Sequence, residues 1–99
     1  MTLLAAAFAF AISNMNLPVS CGHIPLPYVK YSDLSRHNRM RRGEAYRGTP
    51  WIVIDKSVQG LPAEGAYLAH EIVHYALSVC GLPDDERLAV EIQYAWSDQ

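Results

Sequence analysis

Charged residues are scarce in this chain, since Asp, Glu, Lys and Arg together make up 18% of its 99 residues. Hydrophobic residues make up 51%, and the sequence contains neither an internal repeat nor a low-complexity segment. This balance excludes a disordered chain, which would need more charge and fewer apolar residues. The length predicts one globular domain with a core of modest size.

Long hydrophobic runs are lacking as well. A run of Leu, Ala, Phe and Ile covers Leu3 to Ile12, which is too short to span a bilayer as a helix. The run matches the core of a signal peptide, and small residues follow it, although no Lys or Arg precedes it. We interpret residues 1–20 as a signal-peptide-like segment and residues 21–99 as the domain, which predicts a secreted or periplasmic protein. The alternative is that the run is a buried N-terminal helix of a cytoplasmic domain.

Cysteine is limited to Cys21 and Cys80. In an exported chain two cysteines predict one disulfide, whereas in a cytosolic chain they would be two buried thiols. We expect the bridge, which would join the segment after the leader to the end of the helix described next. The Cys-x-His pair at Cys21 and His23 is too weak a signal to predict a metal site.

Histidine is also scarce, yet two of the four histidines fall in the stretch His70-Glu71-Ile72-Val73-His74. In a helix, residues i and i+4 lie on the same face, so His70 and His74 can direct imidazole nitrogens at one metal ion. Glu71 lies beside that face, where its carboxylate can reach a water on the metal. Because the flanking residues are apolar, the helix should be buried, and buried polar groups without partners would be costly. The pattern therefore predicts a zinc site.

The order of elements around this motif suits an α+β domain. Pro18, Pro25 and Pro27 predict an irregular segment over residues 14–28, and Ser32 predicts the start of a helix that reaches about Arg42. Its inner stripe would contain Leu34, His37 and Met40, with His37 as a partly buried structural histidine.

Three further elements surround the motif itself. The run Trp51 to Ile54, ended by Asp55, predicts a strand. A helix should then run from Pro62 to Cys80, with Gly81 as its capping residue. A last helix should begin with the acidic turn Asp84 to Glu86 and end near Trp96.

His70-Glu71-x-x-His74 followed by Glu86-Arg87-Leu88-Ala89 resembles the gluzincin group of zinc metallopeptidases, most closely its compact bacterial and phage members. The stretch from Tyr46 through Trp51 to the motif also resembles an uncharacterised bacterial family of small secreted metallopeptidases. The likeness covers residues 50–96 and implies a minimal zincin-like domain in which a short strand region precedes the motif helix and a second C-terminal helix.

The third zinc ligand has two candidates. The resemblance implies Glu86, because gluzincins take this ligand from a glutamate in an E-x-x-A setting on a later helix. Glu91 has a geometric case, since in a tight helical hairpin it would mirror His74. We prefer Glu86, so the predicted metal ligands are His70, His74 and Glu86.

The resemblance also implies a mechanism, zinc-dependent hydrolysis of peptide bonds. A metal-bound water is the nucleophile, and Glu71 is the general base that passes the proton to the leaving amine. A tyrosine or a histidine would donate to the developing oxyanion. Tyr46, Tyr67, Tyr75 and Tyr94 are available, and the sequence does not choose among them. The substrate would add as an extra strand along Trp51 to Asp55.

Two alternatives to a peptidase are open. One is a catalytically inactive metal-binding interaction module. The other is a binder of anionic polymers through the basic residues Arg36, Arg39, Arg41, Arg42 and Arg47. Only Tyr46 accompanies these arginines, so the stacking residues of single-strand binders are missing and a solvated face is preferred to a nucleic-acid site. We expect a peptide or protein substrate, no stable membrane span, and make no prediction of oligomeric state.

Overall fold

A computed structural model describes residues 1–34 and 41–99. Within these ranges the chain forms three α-helices and a three-stranded sheet, which confirms the predicted α+β class. The helices are α1 (Leu3–Asn14), α2 (Glu64–Val79) and α3 (Glu86–Ser97), and the strands are β1 (Tyr28–Ser32), β2 (Gly43–Ala45) and β3 (Trp51–Asp55).

The predicted strand β3 is the centre of the sheet. It pairs with β1 in parallel and with β2 in antiparallel orientation, in the order β1-β3-β2. Ile52 and Ile54 of β3 are fully buried in the hydrophobic core that the helices share. Since both edges of β3 are already paired, the expectation that a substrate adds as a strand along Trp51 to Asp55 is wrong.

Helix α2 contributes most of the core and packs against both other helices and against β2 and β3. Its most deeply buried residues include Leu68, Ile72 and Val73. It ends where Gly81 adopts φ 68° and Leu82 N–H donates to the Leu77 carbonyl at 2.9 Å, the hydrogen bond of a Schellman cap.

The prediction for the C-terminal end of α2 is therefore confirmed, but its start was placed two residues too early, because the regular helix begins at Glu64 instead of Pro62. Residues 61–63 form a turn instead. The Glu64 side chain fixes this junction, since its carboxylate accepts Gly60 N–H at 2.8 Å and the Tyr31 hydroxyl.

Helix α3 folds back against α2 after a short loop. Asp85 caps it by accepting Leu88 N–H at 3.0 Å, so the acidic turn does begin a helix as predicted. The two helices approach closely at Gly65, where an added Cβ would lie 2.5 Å from Nε1 of Trp96. Ala89, the small residue of the E-x-x-A pattern, is fully buried.

The apolar run near the N-terminus forms α1. Thr2 caps the helix, and Ala7 and Ala11 are fully buried where it packs against α2. Phe10 contacts Trp96 of α3 edge-on, with 5.5 Å between the ring centroids. Whether residues 1–20 also act as a targeting segment stays a prediction. In the described ranges, no helix combines the length and hydropathy needed to cross a membrane.

The expected disulfide is present. Cys21 and Cys80 are bonded, with their Cα atoms 5.1 Å apart. Cys21 ends the short 3-10 helix that follows α1, and Cys80 is the C-cap residue of α2. The bridge thus fixes the N-terminal segment to the base of the α2–α3 hairpin.

The helix expected between Ser32 and Arg42 is wrong at both ends. Ser32 is the last residue of β1 and pairs with Asp55, while Arg41 and Arg42 lie outside any helix just before β2. The capping signal at Ser32 competes with five residues of pairing to β3, and the pairing prevails. The middle of the expected helix, residues 35–40 with His37, lies outside the described residues.

Candidate metal centre

His70 and His74 lie one turn apart on α2, as the motif requires. Their Nε2 atoms are 3.3 Å apart, and the two rings are 5.1 Å apart between centroids. Two nitrogen ligands of a tetrahedral zinc, each about 2.1 Å from the ion, would be about 3.4 Å apart. The pair is therefore already spaced to bind one ion.

Glu86 completes this group from the first turn of α3. Its Oε1 lies 2.8 Å from Nε2 of His70 and 2.9 Å from Nε2 of His74. The two imidazoles and this carboxylate each offer one ligand atom within 4.8 Å of the other two. Two nitrogens and one carboxylate oxygen are the ligands of a zinc site that keeps a fourth position open.

Glu91, the other candidate ligand, lies away from this group. Its carboxylate pairs with Arg87 at 3.3 Å, and both side chains are largely exposed on the outer surface of α3. The short loop explains the difference, because it places the first turn of α3 beside the last turns of α2. The long Glu86 side chain covers the remaining offset along the helix axis.

Both histidines are held in orientation through their other ring nitrogen. Nδ1 of His74 lies 2.6 Å from Oδ1 of Asp84, and Nδ1 of His70 lies 2.7 Å from Oε1 of Gln93. Both partners are acceptors, so each Nδ1 carries the proton and donates it. Each Nε2 is then the atom available to a metal.

The charges around His74 shift its titration. Burial alone would lower the pKa of His74, but its hydrogen bonds to Asp84 and Glu86 outweigh burial and raise it. Burial likewise opposes the charge on Asp84, and the hydrogen bond to His74 prevails and lowers the pKa of Asp84. The two shifts describe one charged hydrogen bond in the protein without its metal.

Sequence reasoning missed the roles of Asp84 and Gln93. Asp84 was interpreted as charge at the start of α3, but it precedes the helix and binds His74. Gln93 was not considered, although it lies seven residues after Glu86 and therefore on the same face two turns later. That spacing was the available signal.

Glu71 lies beside the three ligand atoms without joining them. Its Oε2 is 3.9 Å from Nε2 of His70, and the residue is 6% exposed. The backbone of β2 covers it, because a Cβ added to Gly43 would lie 2.8 Å from Cγ of Glu71. Burial raises the pKa of Glu71 to about 7, despite the lowering effect of nearby His74.

A cleft of about 580 Å³ opens over these groups. Tyr46, Tyr67 and Tyr75 line it, whereas Tyr94 is exposed elsewhere on α3. The Tyr75 hydroxyl donates to the Pro25 carbonyl at 2.7 Å, and the Tyr46 hydroxyl donates to Glu44 at 2.9 Å. Within the described ranges the Tyr67 hydroxyl makes no hydrogen bond, so it is the tyrosine left to meet a ligand.

No protein-family model matches this chain, and no curated protein or solved structure matches it either. The gluzincin resemblance therefore stays a prediction from the motifs, and the function has to be argued from the geometry of the site.

Proposed function

We propose that this chain is a zinc-dependent peptidase with a minimal zincin-like fold. The observation that supports it most is the convergence of His70 Nε2, His74 Nε2 and Glu86 Oε1 with the buried carboxylate of Glu71 alongside. A purely structural site would have no need of a fourth ionisable group held beside the ligands at a cleft.

The residues present fit zinc, both in ligand type and in the spacing of the two imidazole nitrogens. His70, His74 and Glu86 would hold the ion, while Gln93 and Asp84 keep the imidazoles turned toward it. When bound, the ion would polarise a substrate carbonyl and make a water acidic near neutral pH.

In the proposed reaction Glu71 would move the proton. Its carboxylate accepts a proton from the attacking water and returns it to the amine that leaves. A general base works best with a pKa near the working pH, and burial brings the pKa of Glu71 to about 7 before a metal adds its own charge. The absence of a side chain at Gly43 leaves room for the Glu71 carboxylate, because an added Cβ would lie 2.9 Å from its Oε2.

Two other features support a peptide substrate. The Tyr67 hydroxyl would donate to the oxygen of the carbonyl under attack. Strand β2 has no neighbour on its outer edge among the described residues. Asp55 N–H donates to the Arg42 carbonyl and Tyr46 N–H to the Trp51 carbonyl, so the N–H and C=O groups of Gly43 and Ala45 face that edge. A peptide would therefore pair along β2, instead of along the already paired β3.

An inactive metal-binding module is the second candidate. The observation in its favour is that the ligands come from two helices, so a metal would also join α2 to α3. Zinc content cannot separate it from a peptidase, but dependence of cleavage on Glu71 can.

The test compares the unaltered protein with Glu71→Gln, His74→Ala and Tyr67→Phe. Glu71→Gln should keep its zinc and lose hydrolysis by about a hundredfold to ten-thousandfold, because it removes the base and leaves the ligands. Tyr67→Phe should keep its zinc and lose about a hundredfold to a thousandfold in the rate of hydrolysis, since it removes one oxyanion donor. His74→Ala should lose both zinc and activity.

The measurements are zinc content, melting temperature and cleavage of a peptide library. Glu91→Gln is the control, because it makes the same chemical change as Glu71→Gln on the outer surface of α3 and should leave all three unchanged. If Glu71→Gln cleaves as fast as the unaltered protein, the hydrolytic mechanism is wrong and the metal has a structural role.

A further inference from the structure

Three arginines line the cleft that contains the metal site: Arg41, Arg42 and Arg47. Arg41 and Arg42 precede β2 and Arg47 follows it, on the wall of the cleft that faces α2. The motif itself does not explain them, since metal binding and proton transfer use residues of α2 and α3.

Arg41 and Arg47 stand at the two ends of that wall. Arg41 lies two residues before Gly43, whose backbone packs against Glu71, so it stands at the Glu71 end. Arg47 donates to the Leu82 carbonyl, which places it at the other end, beside the α2–α3 loop. Six residue steps separate the two arginines, which in extended backbone span about 20 Å.

Two of the residues between the two arginines have small side chains, so little side-chain volume stands along this wall of the cleft. Gly43 and Ala45 are small, and their main-chain N–H and C=O groups face the free edge of β2. A peptide paired along this edge would pass the metal site at its middle and reach one guanidinium at each end.

Among the described residues, the carboxylates that line the cleft form no ion pair with Arg41 or Arg47. Glu86 accepts from His74 and lies against His70, Asp84 accepts from His74, and Glu71 is packed against Gly43. Arg41 bonds Glu44 at 3.1 Å with a side chain that is 45% exposed. A guanidinium has five N–H donors, so this contact leaves Arg41 able to bind a second carboxylate.

We propose that the substrates are acidic peptides, bound along β2 with carboxylate side chains on both sides of the scissile bond, one facing Arg41 and one facing Arg47. This rests on the proposed peptidase function for the place of cleavage, but binding can be measured without cleavage. Charge-assisted hydrogen bonds from the two arginines to carboxylates of the peptide select acidic peptides. Main-chain pairing with the edge of β2 sets the register of the bound peptide.

The experiment uses two fluorescein-labelled decapeptide libraries with randomised central positions. One library carries aspartate on both sides of the centre and the other carries asparagine there, so the two differ in charge and hardly in shape. Binding is measured by fluorescence anisotropy to zinc-loaded Glu71→Gln, and cleavage is measured in parallel with the unaltered protein.

The aspartate library should bind about tenfold more tightly than the asparagine library, and the difference should shrink as salt is added. Arg41→Gln and Arg47→Gln should each reduce aspartate binding by about threefold to tenfold and leave asparagine binding unchanged. Arg87→Gln is the matched control, because it removes the same charge from the outer surface of α3, where Arg87 is 90% exposed, and should change neither.

Equal binding of the two libraries, or no binding of either, overturns the inference. An equal loss of aspartate-library binding in Arg87→Gln also overturns it, because the binding would then depend on the net charge of the protein alone. Displacement of the aspartate library by single-stranded oligothymidine at equal concentration overturns it as well. Selective binding of the aspartate library without cleavage by the unaltered protein supports the acidic ligand and contradicts the peptidase, so the two proposals fail separately.

Discussion

Glu71 and His74 hold their protons more tightly in the folded chain than they would in the unfolded one. Burial raises the pKa of Glu71 from 4.5 to about 7. Hydrogen bonds to Asp84 and Glu86, acting against burial, raise the pKa of His74 above 6.5. Each proton stabilises the folded state below the unfolded pKa of its group, and this stabilisation is lost as the pH rises through the folded pKa.

The metal-free protein should therefore become less stable between about pH 5 and pH 8, and Glu71 alone accounts for up to about 3 kcal/mol of the change. The lowered pKa of Asp84 affects stability only below this window. The ionised Asp84 stabilises the folded state, and this stabilisation is lost as the pH falls through the pKa of Asp84 in the folded chain. Melting temperatures of chelator-treated protein across the window test this. Glu71→Gln, which cannot titrate there, should show a smaller decline, and an equal decline in both proteins would refute the assignment.

At the residue level the sequence predicts which side chains come together as candidate metal ligands. The i, i+4 spacing places His70 and His74 together on any regular helix, and the short loop before α3 limits the third ligand to its early residues. The residues that accept hydrogen bonds from Nδ1 of the two histidines could not be predicted from sequence spacing in this way. Asp84 and Gln93 meet the histidines only because α3 returns at one particular angle, which depends on packing at Gly65 and Ala89.

Among the secondary-structure elements, the α2–α3 hairpin depends on the disulfide between Cys21 and Cys80, which lies at the end of α2. Cys21 and Cys80 close a loop with a sequence separation of 59 residues, which restricts the unfolded chain more than the folded one. Replacing both with serine should cost about 2–4 kcal/mol of the free energy of unfolding.

A scanning measurement of unfolding with and without reductant checks this. The unaltered protein should lose roughly 10–30 °C of melting temperature when reduced, since a domain of this size shifts about 4–8 °C per kcal/mol. The double serine variant should melt at the lower temperature with or without reductant. An unaltered protein that melts at one temperature in both conditions would show that the bridge does not stabilise the fold.

The helices and strands with strong local sequence signals were predictable, and those with weak signals were not. β3 has a run of β-branched residues, and α2 and α3 have capping residues, so these three were found. β2 is three residues long and contains Gly43 and Ala45, which carry no strand preference. Parallel pairing of β1 with β3 joins segments more than twenty residues apart, and it outweighed the local helix signal at Ser32.

On the scale of the whole molecule, α2 packs against more of the described elements than any other helix or strand does. One side of it meets α1, another meets the sheet through β2 and β3, and the face with the histidines meets α3. A zinc ion at this last contact would link α2 to α3 directly and would stabilise the folded chain in proportion to its affinity. Glu86 is the residue of α3 on which that link depends.

The central claim is that His70, His74 and Glu86 form the metal site, and the most direct test is zinc stoichiometry and affinity, measured by calorimetry and elemental analysis. The unaltered protein should bind one zinc per chain. Glu86→Gln should bind far more weakly, while Glu91→Gln, the same change on the exposed side of α3, should match the unaltered protein. An unaltered protein that binds no zinc, or a loss in Glu91→Gln with none in Glu86→Gln, would contradict the account.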